Sequence, residues 1–140
     1  MVYRYDFLVI GSGIAGMSFG LKVAKYGKVA IIAKNSLEEA NTYFAQGGVA
    51  SVTNPWDNFE KHIADTLDAG AGICDVKAVE KVVREAPSQI KELISWGVDF
   101  DKDETGHFDL HKEGGHSEFR ILHHKDNTGA EIQVSLIDTI

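Results

Sequence analysis

The chain has 140 residues, 44% of them hydrophobic and 25% charged, with 21 acidic against 14 basic residues for a formal net charge of −7. That length fits one compact domain or one part of a larger protein, and the composition lies in the globular range. The acidic balance and the lack of a basic run argue against nucleic acid as a partner, no apolar stretch approaches a membrane span, and a single cysteine, Cys74, allows no internal disulfide.

The first residues lack the apolar core of a secretory signal, and Cys74, read as a small buried hydrophobe, fits a reducing compartment, so a cytoplasmic protein is expected. Residues 5–10 form a short β-prone run that ends at a glycine cluster, and residues 14–25 carry apolar side chains at helical spacing until Gly27 stops them. Val29, Ala30, Ile31, Ile32 and Ala33 follow as an almost wholly apolar strand of the kind buried on both faces of a parallel sheet. Together they predict one βαβ unit with a right-handed crossover, so the fold class is α/β, the start of a Rossmann-like domain on a parallel sheet.

Residues 35–55 are rich in Asn, Gly, Ser and Thr and read as a long functional loop with one helical turn capped by Ser36 and Glu39. Asp57 with Glu60 reads as the cap of a helix whose Phe59, Ile63 and Leu67 share a face until Gly70. Asp75 opens a longer helix, with Val79, Val82, Val83, Ala86, Ile90 and Leu93 on one face, that ends at Gly97 and is expected to kink or restart at Pro87. Residues 98–101 and 107–110 flank Asp103, Glu104, Thr105 and Gly106 and predict a small β-hairpin. Thr128 with Glu131 reads as the capping box of a last helix over 129–140.

Gly11, Ser12, Gly13, Ile14, Ala15 and Gly16 match G-x-G-x-x-G in the setting that the pattern needs, with a strand before it and a helix after it. Gly11 permits the tight turn, Gly13 clears a path for a pyrophosphate, and Gly16 lets the helix lie close on the strand. The helix N-terminus then offers amides and dipole to the negative charge. In the usual fingerprint an Asp or Glu near the end of the second strand accepts a ribose hydroxyl, but Lys34 stands there. A protonated lysine accepts no hydrogen bond, so ordinary NAD recognition loses its main contact. Lys34 presents its charge or stem to an adenosine or phosphate, or is a solvated strand-end lysine.

The stretch Asn41, Thr42, Tyr43, Phe44, Ala45, Gln46, Gly47 and Gly48 combines an amide able to meet a polar ring edge with two glycines that let backbone approach a flat ligand. With residues 65–75, Glu113-Gly114-Gly115-His116-Ser117 and Arg120-Ile121-Leu122-His123 followed by Asp126, Thr128 and Gly129, it resembles the FAD-dependent family of succinate dehydrogenase, fumarate reductase and L-aspartate oxidase flavoproteins. The order and spacing are similar to those of the L-aspartate oxidases. The resemblance implies that residues 1–140 are the N-terminal portion of an FAD-binding domain, the rest of that domain and the capping and C-terminal domains lying outside the sequence. It implies that the positions of Ser12 to Ala15, Lys34 and residues 41–48 contact FAD. Asn41 stands where succinate-oxidising relatives carry a histidine bonded to the flavin, which implies noncovalent FAD.

The same resemblance gives Glu113 a role in orienting the substrate and puts the main catalytic residues beyond Ile140, so this chain alone is expected to be inactive. The implied reaction is oxidation of L-aspartate to iminoaspartate by hydride transfer to FAD, with fumarate or oxygen as acceptor. It would be the first step toward quinolinate and NAD, with a functional link to quinolinate synthase. The alternatives are a succinate dehydrogenase or fumarate reductase flavoprotein, against which Asn41 and Glu113 argue, and a truncated FAD-binding module without activity. Five of the six histidines lie between His107 and His124. His107 and His111 have ligand-compatible spacing, but no cysteine is near, so no metal is expected, and His116 and His123 are the candidates to line a pocket.

Overall fold

The structure, a computed structural model, describes residues 2–140. It opens with the expected βαβ unit. Strands β1 (Phe7–Ile10) and β2 (Val29–Ile32) pair in parallel, Phe7 opposite Val29 and Ile10 opposite Ile32, with helix α1 (Ile14–Val23) and a 3-10 turn (Ala24–Tyr26) between them. β1 starts two residues later than its sequence predicts, because Asp6 folds back to accept the Lys28 N–H at 2.7 Å and ties the strand entrances together. The expected burial of β2 on both faces is not realised. Leu8, Ile10 and Ile32 are 63%, 81% and 48% exposed, because a two-stranded sheet has open edges and α1 lies across one face.

A second, antiparallel sheet of two-residue strands has the order β3 (Val49–Ala50), β5 (Ile121–Leu122), β4 (Leu110–His111). The predicted hairpin is reduced to a Lys102–Phe108 bridge around a turn in which the Asp103 carboxylate accepts the N–H groups of Thr105 and His107. Residues 98–101 form no strand, since Val98 and Phe100 are drawn into the main core, and β4 pairs with β5 instead.

Helices α2 (Phe59–Ala69), α3 (Val76–Ser95) and α4 (Thr128–Thr139) complete the fold. Asn58 caps α2 by accepting the Lys61 N–H at 2.9 Å, whereas Asp57, expected in that role, is engaged by Arg120. Asp75 caps α3 as predicted, through the Ala78 N–H at 3.0 Å, and the helix runs on through Pro87 without a restart. Thr128 and Glu131 form no capping box: the Thr128 hydroxyl accepts the His124 N–H and Glu131 accepts the Asp99 N–H, both at 3.0 Å. In both failed caps a tertiary partner outcompetes the local one.

The core joins Met17 of α1, Ile90 and Leu93 of α3, Val98, Phe100, Leu122 of β5, and Ile132 and Leu136 of α4. Val83 is also buried, but Val82 is exposed at an apolar groove between α2 and α3. The predicted apolar face of α3 is thus only partly a core face.

Candidate functional site

The glycine turn lies at the carboxyl end of β1. Gly11 takes φ 113, a left-handed backbone that favours glycine, and its N–H donates to the Ile32 carbonyl at 2.8 Å. A Cβ on Gly16 would run into the Gly11 carbonyl and stand 3.2 Å from Val9 Cγ1, so α1 can lie this close on β1 only without a side chain there. Its N-terminus then presents the positive end of the helix dipole beside the turn.

The loop over residues 35–48 crosses that turn and is fixed to it directly and through α4. Thr42 Oγ1 accepts the Ile14 N–H at 3.0 Å, so its hydroxyl holds the turn and the loop together. The Gly129 N–H donates to the Ala45 carbonyl at 2.9 Å, with the α4 backbone pressed so near the Thr42 and Ala45 carbonyls that a Cβ would collide with them. Gln133, wholly buried, donates to the carbonyls of Ser12 and Leu37 at 2.7 Å each. Its Oε1 has no partner, and an orphaned buried acceptor costs about 1–3 kcal/mol unless a donor reaches it. A polar ligand entering beside the glycine turn fits that unmet need. Ser12 is buried, whereas Asn41, Tyr43, Phe44, Ala45, Gln46, Gly47 and Gly48 are exposed along the loop, and Lys34 is exposed just past β2.

A cavity of 490 Å³ opens at the end of this loop, with Gln46 and Gly47 on one wall and His111, Glu113 and His123 on the other. Glu113 Oε1 lies 3.2 Å from where a Cβ on Gly47 would be, which sets the carboxylate against the predicted flavin-contacting loop. The turn carrying Glu113 closes through the His116 N–H to the Glu113 carbonyl at 2.9 Å, and the Ser117 N–H and hydroxyl donate to Asp65 of α2 at 2.7 and 2.8 Å.

Behind that turn Arg120 is wholly buried. Its Nε and Nη2 donate to the two Asp57 oxygens at 2.8 and 2.9 Å, and Nη1 donates to Asp65 at 2.5 Å. Burial pushes the Asp65 carboxyl up, but the Ser117 N–H and then the Arg120 guanidinium outweigh it and hold that carboxyl at about 2. His62 is held below its ordinary value by burial first, then by the Arg120 charge and the His116 ring. The sequence offered a signal for this cluster, since an arginine directly before Ile121 and Leu122 of a buried strand requires carboxylate partners.

The histidines regroup. His107 Nδ1 sits 2.7 Å from Thr105 Oγ1, away from His111, which stacks on His123 at 3.7 Å with 22° between the rings. His123 lines the cavity, as expected, while His116 turns edge-on to His62 at 6.0 Å.

A parallel βαβ start, a glycine turn feeding a helix N-terminus and a polar cavity beside the loop locked to it define a dinucleotide-binding domain of the flavoprotein type. Residues 6–140 match the FAD binding domain family, and the chain belongs to it. It is 49% identical over 136 residues to the chloroplastic L-aspartate oxidase of Arabidopsis thaliana, covering 97% of this chain and 21% of that protein. It is 48% identical over 141 residues to the L-aspartate oxidase of Vibrio cholerae, covering 97% of this chain and 26% of that protein. Among solved structures it is similar to E. coli quinol fumarate reductase FrdA, with TM-score 0.91, 28% identity and coverage of 98% of this chain and 24% of that one. Mycobacterium smegmatis Sdh1 gives TM-score 0.89 and 31% identity, over 98% of this chain and 24% of that one. The chain thus spans about a quarter of the length of these relatives. FAD is the cofactor of this family, and the cradle described above suits its pyrophosphate.

Proposed function

We propose that the full-length protein oxidises L-aspartate to iminoaspartate with noncovalently held FAD and passes the electrons to fumarate or oxygen. The observation that carries this reading is the Glu113 carboxylate, set against Gly47 in the cavity at the end of the 41–48 loop. Aspartate and succinate differ by one ammonium group. At 4 Å and an effective dielectric of about 20, a carboxylate attracts that group by roughly 4 kcal/mol, and it repels the bare dicarboxylate. When bound, FAD supplies the hydride acceptor. Gly11, Ser12, Gly13, Ile14, Ala15 and Gly16 hold its pyrophosphate at the α1 N-terminus, Lys34 offers a charge nearby, and Gln46 presents its amide to the polar ring edge. Asn41, Thr42, Tyr43, Phe44, Ala45, Gly47 and Gly48 bring backbone close to the ring. Asn41 has no nucleophile, so no covalent link forms.

Support for aspartate over succinate also comes from the relatives, which are aspartate oxidases at 48–49% identity and dehydrogenase or reductase flavoproteins at 28–31%. Iminoaspartate as product places the enzyme before quinolinate formation, with a functional link to quinolinate synthase. No helix among the described residues is long and apolar enough to cross a membrane. The lone cysteine favours the cytoplasm or another reducing compartment such as the one named for the Arabidopsis relative. Turnover by the full-length protein tests the proposal: peroxide is expected from L-aspartate in air, and acid precipitation is expected to leave the yellow colour in the supernatant. Faster oxidation of succinate than of aspartate would refute the substrate, and colour in the pellet the noncovalent link.

A further inference from the structure

The β4–β5 ladder sets Leu110 opposite Leu122 and His111 opposite Ile121. One step along, Asp109 faces His123, and the two-residue period puts Asp109, His111 and His123 on one side of the sheet. Their ligand atoms lie within 4.8 Å of one another. His123 is 5% exposed, and neither of its ring nitrogens has a hydrogen-bond partner. A buried imidazole left this way costs on the order of 1–3 kcal/mol. Its surroundings are two-sided. Nε2 faces Asp109 Oδ2 at 3.7 Å, while Nδ1 faces Asp101 Oδ2 at 3.3 Å, and the Lys125 N–H holds that Asp101 oxygen at 2.7 Å. Metal-bound histidines have this setting, one nitrogen toward the ion and the other toward an orienting carboxylate.

We propose that Asp109, His111 and His123 bind a divalent transition-metal ion of the zinc class, with Asp101 orienting the His123 ring. Imidazole nitrogen and carboxylate oxygen suit such an ion, and three protein ligands leave a fourth position open toward the cavity. Magnesium and calcium, which take oxygen ligands, do not fit two imidazoles. Zinc bonds of about 2.0–2.1 Å space tetrahedral ligand atoms roughly 3.4 Å apart, so no pair need close by more than about 1.4 Å. That closure falls on Asp109 and His111, both exposed, with the His111 ring tilting off its stack on His123. The buried His123 is the fixed anchor. His107, which pairs with Thr105, takes no part. His111 and His123 also line the cavity that holds Glu113, so the metal site borders the proposed oxidation site, and its test therefore reads zinc binding and not turnover.

Calorimetric titration of chelator-treated full-length protein with ZnCl2 tests the site, with MgCl2 as the control. Zinc is expected to bind and magnesium not, and His111→Ala and Asp109→Asn are each expected to weaken zinc at least about tenfold. His123→Gln is expected to abolish the site, and if that variant does not fold the two surface variants decide. No zinc binding by the wild type, or equal zinc affinity in the wild type and both surface variants, would overturn the proposal.

Discussion

Arg120→Met removes the three guanidinium bonds to Asp57 and Asp65 and leaves one carboxylate wholly buried and the other partly exposed. Methionine matches much of the side-chain length, so the loss is chiefly electrostatic. Breaking a buried ionic cluster by removing one partner costs about 3–5 kcal/mol, because the remaining charge is uncompensated. At about 2–4 °C per kcal/mol for a domain of 150 residues or more, the melting temperature is expected to fall by roughly 6–20 °C. Flavin fluorescence on release from the full-length protein reports the unfolding of this domain, measured between pH 4 and 8. Without the guanidinium, the Asp65 carboxyl loses much of what holds it down, so the deficit of the variant is expected to shrink as the pH falls. Adding Asp57→Asn and Asp65→Asn is expected to recover part of the loss. A melting temperature within about 2 °C of the wild type, or a deficit that grows on acidification, would refute the reasoning.

Gly16→Ala drives a Cβ into the Gly11 carbonyl, so full-length protein carrying it is expected to purify with at least about tenfold less FAD; full FAD content by absorbance would contradict the close approach. His62 is held below its ordinary 6.5 in the fold, so the unfolded chain takes up the proton first and stability declines as pH falls below 6.5. Asp65, depressed from 3.8 to about 2, loses its contribution as pH falls from 3.8 toward 2, about 1 kcal/mol of it by pH 3. Urea titrations from pH 7 to 3 are expected to show this decline, and His62→Gln to flatten its upper part; a pH-independent midpoint would count against both groups. A 140-residue segment expressed alone is expected to self-associate through Leu8, Ile10 and Ile32, and a cooperatively unfolding monomer in sedimentation and melting experiments would oppose this.

The βαβ start, the glycine turn and the Asp75 cap were legible because each depends on neighbours within a few residues. Where a side chain had a choice of partners, local rules failed. Asp57 could cap α2 but is drawn to Arg120, and Glu131 could close a box with Thr128 but accepts from Asp99. Nothing in the local pattern fixes those long-range pairings, and the same holds for Gln133, whose bonds to Ser12 and Leu37 span much of the chain. The residues of the 41–48 loop and Glu113 were legible as motifs, but their meeting at Gly47 depends on the turn held by Asp65 and Ser117. The histidine spacing carried no information on the grouping for a related reason. His107 and His111 are close in sequence, whereas the sheet register brings His111 to His123.

Glu113→Gln in the full-length protein keeps the shape of the side chain and removes only its charge. If the carboxylate selects the ammonium group, kcat/KM for L-aspartate falls by roughly 100-fold, equivalent to about 2.7 kcal/mol, while fumarate reduction changes by no more than a few-fold. Equal losses on both substrates, or no loss on either, would contradict the proposed role of Glu113 in choosing aspartate.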